Sequence, residues 1–257
     1  MNEFFRFKYF LKYQWQAKTK YYLHSPFVYQ FYLNVLEGKD DQQLKQIRNL
    51  RKVLAKDHTT IEIKELGTGK TSSKQISKLE SEVAVREKYG ALLYRLAQYF
   101  KVSSILEIGT SIGISSAYQA LANNLAKVTS LEGAPDLIML AKKNHSALNI
   151  NNITINEGNF DLILPEYLKT QNTLGLVFFD GNHRKEATLN YFNQCLKKAN
   201  DDSIFIFDDI YWSPEMFDAW QQIKAHPQIT LTLDIFQFGI CFFRKEKLAK
   251  EEFVLRY

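Results

Sequence analysis

The chain has 257 residues, 46% of them apolar and 24% charged, so it can bury a sizeable core and is not expected to be disordered. Its formal net charge of +5 permits an anionic partner but is modest for a nucleic-acid-binding protein. No apolar run reaches the roughly 18 residues of a membrane span, and the first residues lack a signal-peptide layout, so we expect a cytoplasmic protein. Cys195 and Cys241 lack metal-site spacing and are predicted to be core residues.

Residues 1–85 are predicted to form a mostly helical N-terminal arm and cap. The segment 4–22 mixes lysines with many aromatic residues. This pattern favours a helix that packs on the rest of the chain or on a second subunit, over a membrane-surface helix or an RNA-binding arm. Two further helices are predicted, from Pro26 to about Leu36 and over 40–55.

A short strand or hairpin arm is predicted over 59–66, followed by a surface loop over 67–73. The triplet Gly69-Lys70-Thr71 in this loop is similar to the end of a phosphate-binding P-loop. However, Lys64 stands where such a loop has its first glycine, and no strong apolar helix follows. We therefore interpret the segment as a surface loop.

From Glu87 onward the pattern becomes an orderly alternation of helices and strands, which predicts an α/β domain over 86–257. Helical patterns separate the first six strands, as in a parallel sheet with helices on both faces. Only about three residues, 236–238, separate the last two strands, which is too short for a helical crossover, so the seventh strand should be antiparallel. The predicted strands are 104–108, 127–131, 153–156, 175–179, 203–207, 229–235 and 239–243.

A glycine-containing turn follows the first of these strands, with the sequence Glu107-Ile108-Gly109-Thr110-Ser111-Ile112-Gly113. Glycine at a strand-to-helix turn lets the backbone approach a ligand closely, which indicates a nucleotide-type cofactor. The two glycines are four residues apart, and Ser111 stands where a dinucleotide fingerprint has its second glycine. This spacing favours S-adenosylmethionine over NAD.

Residues 87–244 resemble the class I S-adenosylmethionine-dependent methyltransferases. The sheet of these enzymes ends in a reversed hairpin, in which the last strand is antiparallel as predicted here for the seventh strand. The resemblance rests on Leu106-Glu107-Ile108-Gly109, on Gly113-Ile114-Ser115 and on the terminal hairpin. Within the class, the chain looks most like the O-methyltransferases related to catechol and caffeoyl-CoA O-methyltransferases. The resemblance implies a Rossmann-like, seven-stranded α/β sheet with an antiparallel last strand, and an enzyme that uses S-adenosylmethionine.

The resemblance also implies which residues hold the cofactor. Glu132, at a strand end about 20 residues after the turn, would accept from the ribose hydroxyls. Glu107 would orient the turn and the amino end of the cofactor, and Asn159 and Phe160 would contact adenine; an ordinary turn before a helix is the alternative for Gly158-Asn159. The full predicted cofactor set is Glu107, Gly109, Thr110, Ser111, Gly113, Ser115, Glu132, Gly158, Asn159, Phe160 and Asp180.

Acidic residues follow the fourth and fifth strands, where ligands of open α/β sheets bind. Related metal-dependent enzymes have Asp, Asp and Asn here, and Asp180, Asp208 and Asp209 match those positions, with Asp209 in place of Asn. Carboxylates suit Mg²⁺ or Ca²⁺, which could orient and acidify an acceptor hydroxyl. Alternatively, Asp209 caps the helix that begins near Ser213-Pro214.

His183 stands where the family usually has a catalytic lysine. Imidazole can accept a proton near neutral pH, so we expect His183, beside Asp180, to be the general base. The replacement could equally accompany a change of substrate or a loss of activity.

These features predict an S-adenosylmethionine-dependent methyltransferase that acts on an oxygen of a small molecule, with or without a divalent metal. The N-terminal arm would cover the acceptor or form a homodimer contact. The alternatives are an RNA nucleoside methyltransferase, a nucleotide-binding oxidoreductase, which the glycine spacing and the hairpin oppose, and a non-catalytic module that binds S-adenosylmethionine.

Overall fold

The computed structural model describes residues 3–64, 71–246 and 249–257. The chain divides into two units, one formed by Met1–Leu33 with Tyr167–Tyr257 and the other by Asn34–Glu166. The predicted division into a cap, 1–85, and a catalytic domain, 86–257, stays a prediction.

The Asn34–Glu166 unit starts with helices and a hairpin. Its first helix, α3, spans Leu44–Leu54, and strand β1, Thr60–Lys64, pairs antiparallel with β2, Thr71–Gln75. The hairpin arm is therefore confirmed, but Thr71 to Ser73 belong to β2 and not to a loop; the rest of the predicted loop, 67–70, lies outside the described residues. A short helix α4, Ile76–Lys78, and a π-helical turn, Leu79–Val83, were not predicted.

Three parallel strands follow in the same unit, and their order of hydrogen bonding is β3-β4-β5. The apolar side chains of β3 are fully buried, as its mostly apolar sequence with Ile105, Leu106 and Ile108 predicts. The strands are β3 Ser104–Ile108, β4 Lys127–Glu132 and β5 Ile153–Glu157, and the helices are α5 Glu87–Tyr99, α6 Ile114–Ala122, α7 Pro135–Ala147 and α8 Phe160–Lys169, which runs past the end of the unit.

The other unit contains the N-terminal helices and the second half of the strands. Its N-terminal helices are α1 Glu3–Gln16 and α2 Pro26–Phe31, with a 3-10 turn at Lys20–Tyr22 between them. A π-helical turn at Tyr32–Leu36 follows, and the first segment of the unit ends within it. The later elements are β6 Leu176–Phe179, α9 Lys185–Leu196, β7 Ile204–Asp208, α10 Pro214–Ala225, β8 Leu231–Asp234, β9 Phe238–Phe242 and β10 Glu251–Val254.

Within the described residues, the main sheet has eight strands, and the five strands of this second unit are hydrogen-bonded in the order β10-β8-β9-β7-β6. The strand β9 runs antiparallel to both β7 and β8, so the reversed hairpin and the α/β class are confirmed. The predicted strand number of seven is too low, because β10 pairs parallel with β8 at the edge. Its sequence, Glu251-Glu252-Phe253-Val254, carries two charges, as is common at sheet edges, and does not read as a buried strand.

Helix α1 packs on the reversed hairpin and on α10 of its own chain. The ring of Tyr9 lies 4.5 Å from that of Phe217 and 5.5 Å from that of Tyr211, and Phe10 lies 5.1 Å from Phe236. The predicted packing of the arm on the rest of the chain is therefore confirmed. Within the described residues, no helix combines the length and apolarity needed to cross a membrane.

Candidate functional site

The glycine turn between β3 and α6 takes a backbone conformation that few residues tolerate. The φ angles of Gly109, Ser111 and Gly113 are 102°, 48° and 77°. The backbone N–H of Gly109 donates to the carbonyl of Leu131 at 3.0 Å, which ties the turn to the end of β4. The Ser111 hydroxyl is buried and has no hydrogen-bond partner among the described residues. A buried polar group of this kind is costly unless a ligand or water completes it.

Glu132 ends β4, and its carboxylate is held by backbone N–H groups. Its Oε2 atom accepts from Ser111 N at 2.8 Å, and its Oε1 atom accepts from Gly133 N at 2.8 Å and Ala134 N at 3.0 Å. Burial raises the pKa of Glu132, and these N–H donors oppose that shift. The predicted ribose ligand is therefore joined directly to the glycine turn by a hydrogen bond.

Glu107 is completely buried and belongs to an internal network that supports the turn. Its Oε2 atom accepts from Ser130 Oγ at 2.5 Å, and its Oε1 atom accepts from Gln119 Nε2 at 2.9 Å. The Thr110 hydroxyl lies 2.5 Å from Ser130 Oγ, so the network reaches the turn itself. Burial raises the pKa of Glu107 to about 7. This geometry fits the predicted role in orienting the turn; contact with the amino end of the cofactor stays a prediction.

Two residues of α7 that the sequence analysis did not identify also hold the turn. Asn144 Nδ2 donates to the carbonyl of Ile112 at 2.8 Å. His145 Nε2 lies 2.9 Å from the carbonyl oxygen of Gly113 and 3.0 Å from Ser116 Oγ. Both side chains are buried. No spacing along the sequence indicates them, because only the packing of α7 against the turn brings them there.

The predicted adenine contacts lie at the start of α8. Gly158 has a φ angle of 149°, and its N–H donates to the carbonyl of Glu132 at 2.9 Å. Asn159 Oδ1 accepts from Asp161 N at 2.9 Å, so the side chain caps α8, and the pair precedes a helix as the alternative interpretation expects. That contact uses the oxygen expected to receive the adenine amino group. The adenine roles of Asn159 and Phe160 therefore stay predictions.

A separate acidic cluster lies in the other unit, at the end of β7. Gln237, in the turn between β8 and β9, donates from Nε2 to Asp208 Oδ1 at 2.6 Å and to Asp209 Oδ1 at 2.8 Å. Arg6 of α1 lies close by, with its Nη2 atom 3.6 Å from Asp209 Oδ1. Burial and the neighbouring Asp208 raise the pKa of Asp209 to about 6, against the opposing effects of His183, Arg6 and Gln237.

His183 and Asp180 lie together after β6. His183 Nε2 is 3.9 Å from Asp180 Oδ1, and the His183 ring centroid is 6.2 Å from that of Trp212. The side chain of His183 is 30% exposed, so it can reach a bound molecule. This distance is too long for a hydrogen bond, so the Asp180 carboxylate acts on the imidazole through its charge.

The predicted metal site of Asp180, Asp208 and Asp209 does not fit a divalent cation. In the parts of the chain that the structure describes, no three or more His, Cys, Asp or Glu side chains are grouped so that they could hold a metal ion. In addition, the Gln237 amide donates a hydrogen bond to each of Asp208 and Asp209, and the positive charge of Arg6, 3.6 Å from Asp209 Oδ1, repels a cation at this place. We therefore assign no reaction step to a metal.

Comparison with known proteins agrees with this architecture. Residues 106–210, which include the glycine turn and the acidic cluster, match the family model of a methyltransferase domain. An uncharacterized protein of Acanthamoeba polyphaga mimivirus is 26% identical over 151 residues, which is 53% of this chain and 67% of that protein.

Solved structures share the fold at low sequence identity. A methyltransferase from Podospora anserina with bound S-adenosylhomocysteine has a TM-score of 0.61 at 13% identity and covers 87% of this chain and 98% of its own. An O-methyltransferase from Bacillus cereus in complex with S-adenosylhomocysteine has a TM-score of 0.56 at 19% identity and covers 84% and 96%. These structures share the fold of the chain, and together with the methyltransferase-domain match over residues 106–210 they confirm the resemblance to the class I S-adenosylmethionine-dependent methyltransferases.

Proposed function

We propose that this protein transfers a methyl group from S-adenosylmethionine to an oxygen of a small molecule. The observation that carries the cofactor assignment is the Glu132 carboxylate, which backbone N–H groups hold at the end of β4, directly beside the glycine turn. An ionised carboxylate at this place is an acceptor for ribose hydroxyls.

The residues of the turn also suit the cofactor. Gly109, with a φ angle of 102°, has no side chain to obstruct a ligand, and the unsatisfied Ser111 hydroxyl is a donor that the cofactor carboxylate can use. S-adenosylmethionine supplies an activated methyl group on its sulfonium. The protein contributes binding and orientation, which hold the acceptor oxygen in line with that methyl group.

We assign the proton of the acceptor hydroxyl to His183. As the oxygen–carbon bond forms and the sulfur–carbon bond breaks, the hydroxyl proton passes to the imidazole, and the sulfonium becomes the neutral thioether. Asp180, 3.9 Å from His183 Nε2, stabilises the imidazolium that results. An oxygen acceptor is favoured because a neutral hydroxyl needs such a base before it can attack.

The test is an assay of methyl transfer from methyl-labelled S-adenosylmethionine. The acceptors supplied are catechols, other small hydroxyl compounds from a cell extract, and bulk RNA. We expect label in a small hydroxyl compound. The variant His183→Ala should lower turnover by about 10²-fold to 10⁴-fold with unchanged cofactor affinity, while His24→Ala, an exposed histidine of the same unit, should not. Label found in RNA alone would show that the acceptor is RNA and not a small molecule. Full turnover by His183→Ala would show that His183 is not the general base.

A further inference from the structure

The contacts of Gln237 fix which way its amide points. Its Oε1 atom accepts from Arg6 Nη2 at 3.0 Å, so the carbonyl end faces the guanidinium. The amide nitrogen is then left facing Asp208 and Asp209, to which it donates. Since guanidinium only donates and carboxylate only accepts, the reverse orientation would break all three hydrogen bonds.

Arg6 is also held by aromatic rings. Its guanidinium carbon lies 5.8 Å from the ring centroid of Trp212 and 5.9 Å from that of Phe236, within the range of cation–π attraction. Its helix is anchored one turn later by Tyr9 on Phe217. These contacts hold the positive charge of Arg6 in place beside Asp208 and Asp209.

We propose that Arg6 and Gln237 replace the divalent cation at the Asp208–Asp209 pair, so that the N-terminal helix neutralises this pair and the protein works without a metal. The physical reason is twofold. The Gln237 amide donates a hydrogen bond to each carboxylate, and the positive charge of Arg6, 3.6 Å from Asp209 Oδ1, repels any cation that approaches. Arg6 thus acts as a positioning residue. Its role in catalysis rests on the proposed function, but its effect on cation binding does not.

The test measures Mn²⁺ binding by electron paramagnetic resonance and Mg²⁺ binding by calorimetry on the full chain. We expect no binding at the pair in the wild type at millimolar cation. The variant Arg6→Gln leaves the two carboxylates without the charge, so its affinity for Mn²⁺ should rise at least about tenfold, and adding Asp209→Asn should abolish the gain. Arg6→Lys, which keeps the charge, should behave as the wild type, and so should Lys8→Ala, which removes an exposed cation of the same helix.

Two results would overturn the inference. One is wild-type Mn²⁺ binding that Asp208→Asn removes; the other is an Arg6→Gln protein that stays folded by circular dichroism and gains no Mn²⁺ affinity. Methyl transfer that chelators do not inhibit is the matching activity result. Cation binding is measured without any methyl transfer, so the two tests are independent. A protein that transfers no methyl group would refute the proposed function alone. An active enzyme with a metal ion bound at Asp208 and Asp209 would refute this inference alone.

Discussion

His145 Nε2 and the carbonyl oxygen of Gly113 lie 2.9 Å apart, so a helix 32 residues further along the chain holds the last residue of the glycine turn. The same imidazole would be 2.5 Å from a Cβ atom added at Gly113. The turn is therefore shaped by a side chain behind it as well as by its own glycines.

Replacing Gly113 should damage both stability and cofactor binding. In Gly113→Ala, the new Cβ meets His145 Nε2 at 2.5 Å and Ala141 Cβ at 2.9 Å, on a backbone with a φ angle of 77°. We expect a loss of about 2–4 kcal/mol in the free energy of unfolding and about tenfold weaker binding of S-adenosylmethionine. Urea unfolding and calorimetry measure the two effects.

Gly133→Ala is the matched control, because its Cβ would meet only Gly158 O at 3.6 Å. Its free energy of unfolding should change by less than about 1 kcal/mol. Equal losses in the two alanine variants would show that the His145 contact does not constrain the turn.

Glu107 should make stability depend on pH. Burial raises its pKa from 4.5 to about 7 in the folded protein, so above pH 4.5 the unfolded chain releases a proton that the folded chain keeps. The stability from this group is complete below pH 4.5 and is lost as pH rises through about 7, a total of about 3 kcal/mol.

Glu107→Gln stays neutral, so it should lack this decline in unfolding experiments that span the same pH window. Glu157→Gln, at an exposed site at the end of β5, is the control and should retain the wild-type slope. A decline of the same size in Glu107→Gln would mean that another group carries it.

The phenol of Tyr211 supports a buried carboxylate beneath α1. Tyr211 Oη donates to Asp234 Oδ2 at 2.6 Å, and burial raises the pKa of Asp234. Tyr211→Phe removes this donor, so we expect a loss of about 1–3 kcal/mol in the free energy of unfolding. Tyr22→Phe, at a residue that is 67% exposed, should be neutral; if both variants are neutral, the Asp234 carboxyl does not need the phenol.

Packing of α1 on its own chain should contribute to stability through one face only. Tyr9→Ala removes ring contacts with Tyr211 and Phe217 and should cost about 2 kcal/mol by urea unfolding. Trp15→Ala, on the same helix but 87% exposed, should cost less than about 0.5 kcal/mol. A larger loss from Trp15→Ala would contradict this orientation of the helix.

Local patterns were enough to predict the parts of the fold that depend on nearby residues. Mostly apolar runs marked β3 and the other buried strands, and the short gap before Phe238 required an antiparallel strand. The glycine turn and Glu132 were also predicted, because strand ends and glycines leave a signal in sequence order.

Features that depend on distant residues were not predictable in this way. Arg6 and Gln237 are separated by 231 residues, and nothing near either one indicates the other. Asn144 and His145 lie in an ordinary helical pattern, so their contacts with the turn appear only after packing. The strand β10 was missed because its edge position allows charged residues that a buried strand excludes.

The most direct test of the central claim is calorimetry with S-adenosylmethionine, S-adenosylhomocysteine and NAD on the wild type and on Glu132→Ala. We predict that both adenosyl ligands bind the wild type, that NAD does not, and that Glu132→Ala weakens adenosyl binding by at least about tenfold. Glu157→Ala, at the exposed end of the adjacent strand, should bind as the wild type does. Binding of NAD alone, or unchanged adenosyl affinity in Glu132→Ala, would contradict the assignment of this site.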